Sequence, residues 1–311
     1  MDKIKTIFIV GPTASGKTSL AVEIAKRYNG EVVSADSMQI YKNMDIATAK
    51  PTEEEMQGIP HRMIDFLDPS ESYSVAKYKA DAFKCIEEIA ANKKIPVVAG
   101  GTGLYIDTLL NNTEFLDFET DEVLRNELYE RFEKDGAEEM WLELDKIDHA
   151  AALNIHKNNR KKIVRALEIY YKTGKTLTQQ NLLSHSGGEM LDYVIIGLNA
   201  RDRNKLYERI NKRVDIMLAD GLVDEAKLFY EKYGSGTAVQ AIGYKEILPY
   251  LEGRASLEEC AQNLKMQTRR YAKRQLTWFR RNENINWIYI DDEENDLLKK
   301  ATEIIEEKGI I

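Results

Sequence analysis

The stretch "TIFIVGPTASGKTSLAVEIAKRY" (residues 6–28) sets a short apolar run against a glycine turn and follows it with helix-periodic sequence. The run "IFIV" is too short for a helix and continuously apolar, as expected of a buried parallel strand. Between strand and helix, "GPTASGKT" fits the spacing G-x-x-x-x-G-K-[ST]. The glycines permit a tight turn, and successive backbone N–H groups at the start of a helix point at an anion. Gly11, Pro12, Thr13, Ala14, Ser15, Gly16, Lys17 and Thr18 therefore form a candidate cradle for phosphate or diphosphate. Lys17 contributes a point charge, and Thr18 is expected to offer its hydroxyl to Mg²⁺.

Two further strand-like segments, "GEVVSADS" (30–37) and "KIPVVAGG" (94–101), end in small or polar residues. Helical patterns lie between them at 19–28 and 74–94, and this alternation predicts a doubly wound α/β core of the P-loop NTPase kind, a parallel sheet flanked by helices. Ligands in such sheets bind at the carboxyl ends of the strands, so the three loops are expected to build one site. From about residue 115 the sequence turns strongly charged and helical, and "DYVIIGLNA" (192–200) reads as a return strand. The expected organisation is a core of 1–114 and 191–311 with a mostly helical insertion at 115–190. "NWIYID" (286–291) is expected at a sheet edge, followed by a final amphipathic helix.

With 311 residues, 43% hydrophobic and 31% charged, the chain can bury a substantial core and has no apolar run of membrane-spanning length. No signal-peptide pattern precedes the first strand, and a cytoplasmic location is expected. Cys85 and Cys260 lack metal-ligand spacing and read as reduced thiols; His61, His149, His156 and His185 form no metal pattern either. The net charge of −8 opposes nonspecific nucleic-acid binding, although it averages over local patches. No association surface is evident, so a monomer is expected.

Phosphate binding alone does not choose the chemistry. "IPVVAGGTG" (95–103) ends in glycines and Thr102, where a nucleotide hydrolase usually carries a magnesium-binding Asp. In "VVSADSMQIYKNMDIATAKPT" (32–52), Asp36 follows a strand at the same sheet edge. It reads equally as a proton acceptor over the phosphate site and as a turn or helix cap. Ser37, Met38 and Gln39 add hydrogen-bonding and soft apolar surface. Residues 265–281, "KMQTRRYAKRQLTWFRR", carry seven Lys or Arg and no acid, interleaved with Tyr271, Trp278 and Phe279. A second basic stripe is "HKNNRKKIVRALE" (156–168). Together they point to a nucleic-acid partner, against the alternative of solvated helix faces. A small-molecule kinase and a non-enzymatic RNA-binding module that senses nucleotide both stay open on these features.

Seven blocks occur in an order and spacing that resemble the bacterial tRNA dimethylallyltransferases: "GPTASGKTSLA", "EVVSADSMQIYKNMDIATAKPT", "PVVAGGTGLYI", "RALEIYYKTGK", "DGLVDEAKLF", "QAIGYKEI" and "TRRYAKRQLTWFR". The resemblance implies transfer of a dimethylallyl group from dimethylallyl diphosphate to N6 of adenosine 37, next to the anticodon in tRNA, with Mg²⁺. It implies Asp36 as the base at N6, Lys17 and Thr18 as catalytic partners, and Thr13 to Thr18 as the diphosphate cradle. The tRNA contacts it implies are Asp36 to Gln39, Thr102, Arg125, the stretch Lys161, Lys162, Ile163, Val164 and Arg165, and less directly Gly243, Tyr244 and Lys245. The basic cluster Arg269, Arg270, Lys273 and Arg274 is expected to join them. The chain departs from the family's usual pattern at Arg62, Lys157, Asn159 and Lys162; the last keeps charge but lacks arginine's planar fork.

Overall fold

The computed structural model describes residues 3–114, 121–184, 188, 190–234, 238–292 and 296–311. The chain divides into two compact units, Met1–Leu110 with Glu189–Ile311, and Asn111–Gly188. The sequence-expected start of the insertion at 115, and His185, fall outside the described residues.

In the larger unit the chain runs β1 (Ile4–Val10), α1 (Lys17–Arg27), β2 (Gly30–Ser34), α2 (Glu53–Met56), β3 (His61–Arg62), α3 (Val75–Ala91), β4 (Ile95–Gly100) and α4 (Gly103–Leu110). The smaller unit holds α5 (Glu122–Asp135), α6 (Ala137–Ile147), α7 (His149–Asn154), α8 (Arg160–Thr173) and α9 (Leu177–Ser184). The chain then returns as β5 (Leu191–Asn199), α10 (Arg203–Ala219), α11 (Leu222–Tyr233), α12 (Tyr244–Leu251), α13 (Leu257–Phe279), β6 (Ile285–Tyr289) and α14 (Leu297–Glu307).

The strands form one sheet in the order β3-β2-β4-β1-β5-β6, every pairing parallel. Parallel strands need crossovers, which the intervening helices provide, and both faces of the sheet are consequently covered. Alternation along β1 divides the core: Ile7 and Ile9 join Leu20, Ile24 and Ile196 on one side, whereas Phe8 and Val10 join Tyr78, Ile86 and Ile106 on the other. β1 lies between β4 and β5, so the glycine turn that follows it opens among the ends of several strands. β6 is an edge strand, as its sequence implies. β3 has only two residues, too few to show a period of two, and the sequence reading does not contain it. Among the described residues no helix is long and apolar enough to cross a membrane.

The smaller unit has its own core of Leu128, Met140, Leu144, Ile163, Val164 and Leu167. Within it the fully buried Glu168 is met by Arg125, 3.1 Å away, and by Arg165 at 3.0 Å. A buried carboxylate that loses a partner leaves charge uncompensated. Arg125→Ala is expected to destabilise this unit by about 2 kcal/mol, the value for a buried pair discounted because Arg125 is partly exposed and Arg165 remains. Calorimetric unfolding checks this, and an unchanged Tm would mean that Arg165 alone neutralises Glu168.

Candidate functional site

A cavity of about 330 Å³ in the larger unit is lined by residues from β2's following loop, the glycine turn, α10, α12 and α13. The turn is shaped by Gly11 and Gly16. A Cβ at Gly11 would stand 2.5 Å from the Leu198 carbonyl oxygen, and Gly16 has φ +94° as it enters α1 with no side-chain cap. The first amides of α1 are thus left for a ligand. Of the eight candidate cradle residues, Thr13, Lys17 and Thr18 line the cavity. Ser15 is buried, and the Pro12 carbonyl accepts from Lys17 Nζ at 2.7 Å. The Ala14 carbonyl accepts from Arg209 Nε at 2.8 Å.

Three side chains that the sequence reading missed complete this end of the site. Arg213 of α10 lines the cavity and donates to Thr13 Oγ1 at 3.3 Å. Arg209, one turn earlier, holds Ala14. Gln275 of α13 accepts from Thr13 N–H at 2.8 Å and donates to the Gly101 carbonyl at 3.0 Å, joining the glycine turn to the loop after β4. Burial and then the Arg213 guanidinium draw the Lys17 ammonium down to about 7, against the opposing pull of Asp36. Burial likewise lowers the pKa of Arg213. Crowded, desolvated cations of this kind favour an incoming anion.

Asp36, Ser37, Met38 and Gln39 all line the same cavity. Asp36 Oδ1 accepts from Met38 N–H at 2.9 Å, so the turn-forming role is realised while the residue still faces the cavity. Gln39 Nε2 donates to the carbonyls of Thr48 and Ala49, at 3.2 and 3.0 Å. Thr102 does not line the cavity; its Oγ1 accepts from Ser37 N–H at 3.0 Å and braces the acidic loop.

Helix α13 divides its chemistry between faces. Tyr271, Arg274 and Gln275 line the cavity, and burial raises the Tyr271 hydroxyl's pKa. Trp278 donates to Asp107 at 2.7 Å, and Phe279 is in the core, so these two aromatics pack rather than stack on bases. Arg269 is bonded to Asn211 at 2.6 Å, Arg270 and Lys273 are exposed, and Lys273 lines a second, basic cleft with Arg203 and Arg280. Gly243 and Lys245 line the main cavity, but the Tyr244 side chain is buried and donates to Glu225 at 2.9 Å. Tyr244 thus serves the packing and not the cavity wall.

In the smaller unit, Ile163 and Val164 of the stretch 161–165 are core residues. Lys161 and Lys162 are exposed, whereas Arg125 and Arg165 share Glu168. Three of the four departures from the usual family sequence have structural partners: Arg62 reaches the buried Glu31 at 3.0 Å, Lys157 pairs with Glu138 at 2.6 Å, and Asn159 caps α8. Burial opposes the Glu31 charge, but Lys94 and Arg62 together hold its carboxyl below the usual range.

The family model described as IPP transferase matches residues 39–282. The chain belongs to the IPP transferase family. A curated tRNA dimethylallyltransferase of Acetivibrio thermocellus is 51% identical over 298 residues, 95% of this chain and 94% of that one. The solved tRNA isopentenylpyrophosphate transferase of Bacillus halodurans is 45% identical, with TM-score 0.72 and coverage of 99% and 98%. A eukaryotic dimethylallyltransferase acting on tRNA is 31% identical, with TM-score 0.79 over 98% of this chain and 79% of that one.

No cluster of three or more His, Cys, Asp or Glu fit for a metal occurs among the described residues. Thr18 and Asp36 nevertheless share the cavity, and this sparse oxygen set fits Mg²⁺, which typically keeps waters and takes substrate phosphate oxygens.

An anion bound beside Lys17 stabilises its charged form, so binding above pH 7 takes up a proton. Affinity for inorganic diphosphate should therefore fall between pH 7 and 9, by up to about tenfold per unit, more steeply than in Lys17→Met. Calorimetry at several pH values measures the difference; equal slopes would contradict it.

Proposed function

We propose that this chain transfers the dimethylallyl group of dimethylallyl diphosphate to N6 of adenosine 37 in tRNA, giving N6-(dimethylallyl)adenosine and diphosphate. One observation carries the reading: a single cavity joins a cationic phosphate end, Lys17, Arg213 and the glycine turn, to a carboxylate at Asp36 and to apolar side chains such as Met38, Val214 and Met217. The names of the relatives support the same chemistry.

The N6 lone pair forms a bond to C1 of the allylic chain while the C1–O bond breaks, its electron pair leaving on the diphosphate. Asp36 takes the proton from N6. Lys17, Arg213 and the loop N–H groups stabilise the charge that develops on the departing oxygens. When bound, Mg²⁺ held through the Thr18 hydroxyl supplies further positive charge to the leaving group. The amine of adenine is a weak nucleophile, so alignment contributes as much as proton transfer. The target base is extruded from its stack to reach Asp36. Tyr271 and Arg274 line the cavity wall, and in this reading they receive it.

Exposed cations, Arg270 and Lys273 on α13 and Lys161 and Lys162 on α8, meet the RNA backbone in this reading. The enzyme acts as a monomer in the cytoplasm, where its tRNA is found.

Incubation with Mg²⁺, labelled dimethylallyl diphosphate and unmodified tRNA is expected to label the tRNA. ATP turnover without label would instead indicate a kinase, and tRNA binding without product a sensing module. Asp36→Asn should lower kcat by about 10²-fold or more while tRNA affinity stays within about threefold; equal loss of both would make Asp36 a binding residue. The double variant Lys161→Ala, Lys162→Ala should reduce the slope of log K against log salt by about 2 in filter-binding titrations. An unchanged slope would remove α8 from the interface.

A further inference from the structure

The proposed transfer leaves open what limits the length of the transferred chain, and the far wall of the same cavity addresses it. Arg213, at the phosphate end, and Met217 both line the cavity from α10. They are four residues apart, a rise of about 6 Å along the helix, which is close to the reach of a five-carbon allylic chain. Just past the end of α10, a Cβ added at Gly221 would stand 3.9 Å from Ile46 Cδ1, so the loop at 45–47 packs beside the end of that helix. Ala47 of this loop lines the cavity.

The loop is held unusually firmly. Glu225 of α11 accepts three successive backbone N–H groups: Oε2 takes Asp45 at 2.9 Å and Ile46 at 2.8 Å, and Oε1 takes Ala47 at 2.9 Å. Oε1 also accepts the Tyr244 hydroxyl at 2.9 Å. Gly243, at φ +113°, comes so close that a Cβ there would lie 3.0 Å from Ala47 Cβ. With its amides clasped and its other side packed, Ala47 cannot retreat from the cavity without breaking charge-assisted hydrogen bonds.

We propose that Glu225 is a positioning residue whose grip on residues 45–47 makes Ala47, with Met217, the stop that restricts transfer to a five-carbon chain. The proposal rests on the prenyl-transfer reading. Its test compares dimethylallyl with geranyl diphosphate as donor to an anticodon stem-loop RNA, using the full chain and reading the ratio of kcat/KM. Wild type is expected to favour the shorter donor strongly. Glu225→Gln places an amide NH₂ against backbone donors and should reduce that preference at least about tenfold; Met217→Ala should reduce it without touching the clasp. A merely structural role for Glu225 would lower both donors together and leave the ratio unchanged, which would overturn the proposal. Ala47→Leu should raise KM for dimethylallyl diphosphate at least about tenfold while inhibition by inorganic diphosphate stays within about threefold; wild-type KM there would also overturn it. Should Glu225→Gln fail to fold, the Met217 and Ala47 variants decide. Wild type that uses both donors equally would overturn the stop alone, whereas wild type that transfers neither would overturn the prenyl-transfer reading as well.

Discussion

The site depends on how closely the chain passes itself just beyond β2 and β4. At Gly100 an added Cβ would lie 2.2 Å from the Ala35 carbonyl oxygen, a separation only glycine allows. That approach lets Ala35 donate to the Ala99 carbonyl at 2.8 Å and accept from Thr102 N–H at 3.1 Å. Thr102 then braces Ser37 through its hydroxyl. Asp36 is flanked by fixed backbone on both sides, so its carboxylate reaches the cavity without needing a side-chain partner to aim it. The same crowding explains the glycines after β4: at Gly101 a Cβ would meet Gln275 at 2.1 Å, and at Gly103 it would meet Trp278 at 2.2 Å. Helix α13 has taken the space, and a side chain at those positions would displace it.

What the sequence disclosed followed from range. The strand, glycine turn and helix of residues 4–27 are a local pattern, and so are the strands at 30–34 and 95–100. Arg209, Arg213 and Gln275 reach the turn across long stretches of chain, and in sequence they are ordinary members of charged amphipathic helices. Glu225 looks like one more surface acid of α11 until its three amide partners from residues 45–47 are seen. At Ile163, Val164 and Tyr244 a family block marks a region and not the face of the helix that meets solvent, and these three side chains are buried. Asp36 shows why its two readings were balanced: one oxygen serves the turn, and the residue still borders the cavity.

Charge is distributed against the average. A chain of net charge −8 nevertheless concentrates desolvated cations, Lys17 and Arg213, around one turn. Arg125, Arg165 and Arg62, all conspicuous in sequence, are instead engaged with the buried acids Glu168 and Glu31. Two populations of basic residues therefore stand out, those that neutralise a carboxylate and those, Lys17 and Arg213, that line the cavity.

The second population has a consequence for anyone seeking a hardier version of this protein. Lys17 and Arg213 are charged groups held out of water beside one another, which opposes folding for as long as no anion is present. An apolar replacement at Arg213 would pack among Ile210 and Val214 and relieve that repulsion, so a screen for heat resistance would select it. Selection for thermal endurance alone would then remove the feature that makes the cavity hospitable to diphosphate, a conflict between robustness and catalysis located at two side chains.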